Sequence, residues 1–223
     1  MNFLKIKNFL LVFLIIFSYL ISVVKTYAVD ITADRTISSS SDGDQYNIKT
    51  NNDIDVIVTN NSTLERNQKI FNVSAASLTG SSITIHLGSS VIAETNSIFS
   101  NGAELTITNT GTIEATNSKA INVSNSDGVS ITNNNNGVIK SNNNTILGDA
   151  GTGADNVTID NSGEIYTTAT GTESSAIVFA NNDTGNTITN NSGGEIYSSG
   201  SESTIVLGVS STLTNSGSIK NNK

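Results

Sequence analysis

The chain has 223 residues, 13% of them charged and 5% aromatic, with 19 acidic against 11 basic side chains and neither Pro nor Cys. A net charge of −8 argues against phosphate backbones and anionic membrane surfaces as partners, so no nucleic acid is expected, and the absence of cysteine excludes disulfides and thiolate chemistry. Asn, Ser, Thr, Gly and Ile carry most of the length, which are residues of strands and tight corners, and regular aliphatic clusters separate the chain from a disordered Asn- and Ser-rich tract.

Lys5 and Lys7 precede an apolar run from 9 to 24, largely Leu, Ile, Val and Phe; Lys25 closes it, and Thr26-Tyr27-Ala28 places small residues three and one before a cleavage point after Ala28. A basic start, an apolar middle and a small-x-Ala end predict a secretory signal helix over residues 1–28. An uncleaved anchor is the alternative, although the run is short for a span of ~20 residues. Removing 1–28 takes three lysines and no acid; 8 basic and 19 acidic residues remain, a net charge of −11. The expected destination is the cell surface or the medium, with the periplasm as alternative, and no membrane span after signal cleavage.

Residues 29–53 hold strand-like pieces around Ile31, Ile37 and Ile48 but no clear repeat, and read as a cap or a degenerate first coil. From 54 to 223 a motif recurs. Leu105-Thr106-Ile107-Thr108-Asn109 returns as Val129-Ser130-Ile131-Thr132-Asn133, as Val157-Thr158-Ile159-Asp160-Asn161, as Thr187-Ile188-Thr189-Asn190 and as Thr212-Leu213-Thr214-Asn215. Weaker copies are Val56-Ile57-Val58-Thr59-Asn60 and Ile83-Thr84-Ile85. Matching Val58 with Ile107 gives six periods up to Leu213, about 26 residues each.

Each clear copy leads into a Gly-containing corner and a second short strand, as in Thr110-Gly111-Thr112-Ile113 and Ser162-Gly163-Glu164-Ile165. A third aliphatic cluster closes the coil: Ile70-Phe71, Ile98-Phe99, Ile121 with Val123, Ile146-Leu147, Ile177 with Phe179, and Ile205 with Leu207. Three strands and three corners per repeat predict an all-β fold, a parallel β-helix (β-solenoid) of six to seven coils. One corner admits insertions such as 168–174. No coil can bury its own apolar face, so stability must come from stacking. Six coils at the ~4.8 Å strand spacing give a rod of about 30 Å.

Repeated Asn-x-Gly-x-Ile units behind an export signal resemble the passenger domains of autotransporter adhesins and related β-helical surface proteins of Gram-negative bacteria. The resemblance covers 54–223 in pattern and implies a right-handed parallel β-helix, surface display and adhesion. Such proteins normally end in an outer-membrane β-barrel, whereas this chain stops at Ile219-Lys220-Asn221-Asn222-Lys223, inside a coil. A fragment, a remnant of a degraded gene and a short free passenger all fit that ending. An open last coil is also an exposed strand edge that invites end-to-end self-association.

Alternation sorts the side chains of the second strand. With Ile113, Ile139, Ile165, Ile196 and Ile219 inward, one outward column reads Thr112, Val138, Glu164, Glu195, Ser218 and the other Glu114, Lys140, Tyr166, Tyr197, Lys220. Glu164 over Glu195 is the one arrangement with catalytic geometry in reach, because retaining glycosidases hold two carboxylates ~5–5.5 Å apart; a solvated pair carried by the duplicated Gly-Glu-Ile-Tyr is the plainer reading. The Thr-x-Thr columns of the first strand resemble ice-binding solenoids, but coil lengths vary and Asp160 interrupts them. His86, the only histidine, is expected to alternate outward between Ile85 and Leu87. Asp42-Gly43-Asp44 and Asn181-Asn182-Asp183 lack the calcium nonapeptide, and no phosphate loop, nucleophile elbow or zinc spacing occurs. No catalytic, cofactor-binding or metal residue is therefore assigned, and no cofactor. The expected function is a non-enzymatic surface or secreted interaction protein, adhesin-like, whose partner is an unidentified host or cell-surface macromolecule, a glycan among the candidates. The alternatives are a polysaccharide-active β-helix enzyme and a truncated passenger without independent function.

Overall fold

A computed structural model describes residues 28–49, 53–59, 61–74, 79–102, 104–148 and 153–221. The predicted signal helix up to residue 27 lies outside the described residues, as do Asn60, Asn222 and Lys223. Within them, alternating aliphatic and polar residues build three parallel eight-stranded sheets. Sheet I runs from Arg35–Ile37 through Leu105–Asn109 to Thr212–Asn215, sheet II from Ser41–Asp42 through Thr112–Ala115 to Ser218–Asn221, and sheet III from Ala28–Ile31 through Ile98–Asn101 to Ile205–Val206. Each coil contributes one strand to each sheet, which makes a parallel β-helix of the right-handed type with about seven coils. At the strand spacing of ~4.8 Å, the stack is about 34 Å long.

The inward columns are those that alternation implies. Ile107, Ile131, Ile159 and Ile188 stack in register in sheet I. Ile113, Ile139, Ile165 and Ile196 do so in sheet II, and Ile98, Ile121, Ile146 and Ile177 in sheet III. All twelve are fully buried and belong to one continuous core. With no proline in the chain, every backbone N–H is available to the ladders. Residues 28–48 also join the stack: Ala28–Ile31 pairs with Gln45–Ile48, and Arg35–Ile37 with Asp55–Val58.

Two sequence expectations are corrected. The weak copy at 56–60 is shifted by two residues: Val56, through Ile83, lies in the Ile107 column, while Val58 stacks on Ile85 and so on Asn109. A two-residue slip keeps every side chain on its own face, so the apolar pattern cannot tell the two registers apart. The second correction concerns Leu87. The strand ends at Ile85, the chain turns, and Leu87 is 65% exposed beside His86.

The corners explain the glycines. From sheet I to sheet II the connection 38–40 has three residues, 59–62, 86–89, 134–137 and 191–194 have four, and 110–111, 162–163 and 216–217 have two. Each four-residue corner closes with a bond from its last N–H to its first carbonyl, 2.8–3.2 Å long. Its third residue has positive φ: Asn61, Gly88, Asn136 and Gly193. The glycine that ends a corner has another cause. A Cβ on Gly163 would lie 2.2 Å from the Gly137 carbonyl oxygen, because the corners stack backbone on backbone. The corner from sheet III to sheet I carries its own left-handed column, Asp53, Gly80, Gly128, Asn156, Gly185 and Ser210, mostly Gly and Asx residues that tolerate that region. The insertion 168–174 falls between Glu164–Thr167 of sheet II and Ile177–Val178 of sheet III, leaving both ladders intact.

Candidate functional site

The outer face of sheet II carries the largest outward side chains, in the predicted columns. Glu114 lies against Lys140, which lies against Tyr166, then Tyr197, then Lys220. The Lys140 ammonium donates to Glu114 at 2.9 Å, and that bond raises the Lys140 pKa above its ordinary value. Tyr166 and Tyr197 stack face to face, with ring centroids 4.5 Å apart and planes 7° apart. Burial pushes the Tyr197 phenol up, and the neighbouring Tyr166, Glu164 and Glu195 push it further.

Glu164 and Glu195 are direct neighbours across two coils. Glu164 is exposed, while Glu195 is half-buried with Lys220 at 3.8 Å. The pair borders a groove of about 310 Å³ whose origin is the alternation of corner lengths. The two-residue corner Ser162-Gly163 sits between the four-residue corners 134–137 and 191–194, so the edge is notched there. Asn135 and Asn136 form one wall, Gly193 the other, and Ser162 and Gly163 the floor. A second notch, of about 470 Å³, is lined by Thr59, Asn61, Thr84, His86, Leu87, Thr108 and Thr110, above the short corner Thr110-Gly111. His86 Nδ1 lies 3.4 Å from Thr59 Oγ1, and both side chains are at the surface. A third groove, of about 320 Å³, follows the other border of sheet II past Glu114, Lys140 and Tyr166.

The hydroxyl columns of sheet I are in register as well: Thr84, Thr108, Thr132, Asp160, Thr189 and Thr214. Asp160 breaks the ladder, and its carboxylate accepts a hydrogen bond from Asn191 Nδ2. Asp183, of the segment Asn181-Asn182-Asp183, is fully buried and accepts the backbone N–H groups of Ala154 and Ala180 at 3.0 and 2.7 Å. It fastens a corner. Among the described residues, no group of three or more His, Cys, Asp or Glu side chains is placed to hold a metal ion.

Sequence reasoning missed one feature. The asparagines that end the sheet I motif, Asn109, Asn133, Asn161 and Asn190, are fully buried. Each Nδ2 donates to the Oδ1 of the asparagine on the next coil, at 2.9, 2.8, 2.8 and 2.8 Å, ending on Asn215. The same nitrogens reach the carbonyls of the corner glycines and of the next sheet II strand, for example Gly137 and Glu164 from Asn133, both at 3.1 Å. Alternation carried the signal: in Ile107-Thr108-Asn109 an inward isoleucine puts the residue two positions on inward too.

Comparison with known proteins adds no relative. No family model, curated protein or solved structure matches the chain.

Proposed function

We propose that the chain is an exported, non-enzymatic interaction protein of the adhesin or autotransporter-passenger type, displayed on or released from a Gram-negative cell. Its partner is a host or cell-surface macromolecule, a glycan foremost, engaged along the edge between sheets I and II. The observation that supports this reading is a pair of grooves, of about 310 and 470 Å³, at different levels along one edge of the stack, the first of them cut by a short corner between two long ones. Their walls offer side-chain amides, hydroxyls and two carboxylates, groups that match sugar hydroxyls by hydrogen bonding. A stacked-coil scaffold holds such groups on strands and tight turns, so little ordering entropy opposes binding.

The test begins with glycan-array and host-cell binding by the mature protein. Ser162→Trp fills the notch floor without touching the core, and binding should fall at least tenfold while the thermal melt stays in place. Binding to no glycan and no cell, or binding indifferent to Ser162→Trp, removes the reading. Bound glycan that is cleaved by the wild type and spared by a Glu164→Gln, Glu195→Gln double variant would install the enzyme alternative instead. Export is tested separately, by N-terminal sequencing of the protein recovered outside the cytoplasm.

A further inference from the structure

We propose that Tyr166 and Tyr197 are an oxidative coupling site, at which a haem-peroxidase-type oxidant with hydrogen peroxide joins the two rings into an intramolecular dityrosine that staples adjacent coils. The stack already has the geometry the reaction requires. Phenoxyl radicals couple through their ortho carbons, whose spin-bearing p orbitals lie perpendicular to the ring, and two rings 7° from parallel with centroids 4.5 Å apart aim those orbitals at each other. The backbone register holds the pair so: Tyr166 and Tyr197 are direct partners in neighbouring strands of sheet II. Their side chains are half-buried, with an edge open to an oxidant.

The composition directs oxidising equivalents to this place. The chain has no cysteine or tryptophan, and its one methionine is Met1, so the side chains that usually compete for oxidant are missing from 29–223. Of the five tyrosines, Tyr19 and Tyr27 belong to the predicted leader. Tyr46 is 2% exposed, with its ring against Phe71. The stacked pair is what remains accessible. Glu164 and Glu195 stand in the adjacent outward column, where carboxylates can receive the protons that oxidised phenols shed.

The step balances. Each phenol loses one electron and one proton, and one peroxide takes both pairs and becomes two waters. One C–C bond forms between the ortho carbons, and the hydrogen on each of those carbons moves to its own oxygen, restoring both aromatic rings. Net, the protein loses two hydrogen atoms. Because the second ring is already in place, coupling within one molecule runs at an effective concentration far above that of another protein molecule in solution.

The test treats the mature protein, at micromolar concentration, with a haem peroxidase and peroxide. The expected product is a monomer lighter by two hydrogens, with dityrosine fluorescence and a cross-linked peptide pair containing Tyr166 and Tyr197, in at least tenfold excess over covalent dimer. Tyr166→Phe and Tyr197→Phe keep an aromatic ring in the stack and should each abolish the monomeric cross-link while leaving the melt unchanged. Covalent dimers as the main product, a cross-link that survives in either variant, or consumption of tyrosine without a cross-linked monomer each overturn the proposal.

Discussion

The two halves of the solenoid fill one buried column with different chemistry. In the N-terminal coils the last inward position of sheet I is aliphatic, Ile37, Val58 and Ile85; from the next coil on it is asparagine, from Asn109 to Asn215. The aliphatic version gains by removing apolar surface from water. The asparagine version gains little net energy per hydrogen bond, about 1 kcal/mol, but gives the corner carbonyls a second donor beside the backbone N–H of the next coil, as Asn133 Nδ2 does for Gly137. Corner lengths overlap between the two versions: the corners after Ile37, Val58 and Ile85 have three, four and four residues, and those after the asparagines have two or four, so that two-residue corners occur only after an asparagine.

The largest effects should be common to both halves, because both share the isoleucine columns. Ile83→Asp and Ile131→Asp each put an unpaired carboxylate into a fully buried position and should abolish the cooperative thermal melt followed by circular dichroism, a loss above about 4 kcal/mol. Thr132→Asp, one residue along but on the outer face, should stay within about 0.5 kcal/mol of wild type. A half that still melts cooperatively after the other is broken would mean two separate folding units and would undo the comparison.

Next in size are exchanges within the contrasting column, read in urea melts. Asn133→Ala removes one rung, leaves the Oδ1 of Asn161 without its donor from the coil before, and should cost on the order of 1–3 kcal/mol. Val58→Asn places an amide among aliphatics and should cost about as much. Ile85→Asn sits directly beneath Asn109 and extends the ladder by one coil, so it should be milder than Val58→Asn by about 1 kcal/mol. Equal costs for the two asparagine insertions would show that the neighbours in the column do not matter.

The smallest effect is electrostatic and present in both halves. Hydrogen bonds from Lys49 and then Asn47 lower the pKa of Asp30, and a hydrogen bond from Asn143 with the charge of Lys119 lowers that of Glu173. A carboxyl with a lowered folded value stabilises at pH above its ordinary value, 4.5 for Glu173, and loses that contribution as the pH falls through the folded value. Glu173 is 55% exposed and Lys119 3.4 Å away, so screening limits the gain to less than about 1 kcal/mol. Glu173→Gln should therefore lower the melting temperature slightly near neutral pH and match wild type once the wild-type Glu173 is protonated. A deficit that persists in acid would point to lost packing instead.

Much of this was legible in the residues. Ile131, Gly163 and Ile177 announced strand, corner and closing strand, and the outward columns from Glu114 to Lys220 came from counting by two. The buried ladder was not read, although the same count contained it, because asparagine is a common corner residue and its burial depends on a like neighbour one coil away. The register at Val58 was out of reach for a different reason: a shift of two preserves every face, and only the stacking of the corners selects between the alternatives. The notches were also hidden, since a groove arises from the difference between successive corners and no single corner contains it.

Arg35 occupies the place in its column that Val56, Ile83 and Ile107 fill in the coils above it, and its guanidinium rests 5.5 Å from the centre of the Tyr46 ring. Any strand laid beneath that coil would have to strip a permanent cation of part of its water. The array of coils thus carries its own punctuation: a charge stands where the column elsewhere holds an aliphatic, and gives the rod a direction that its repeating motif alone does not.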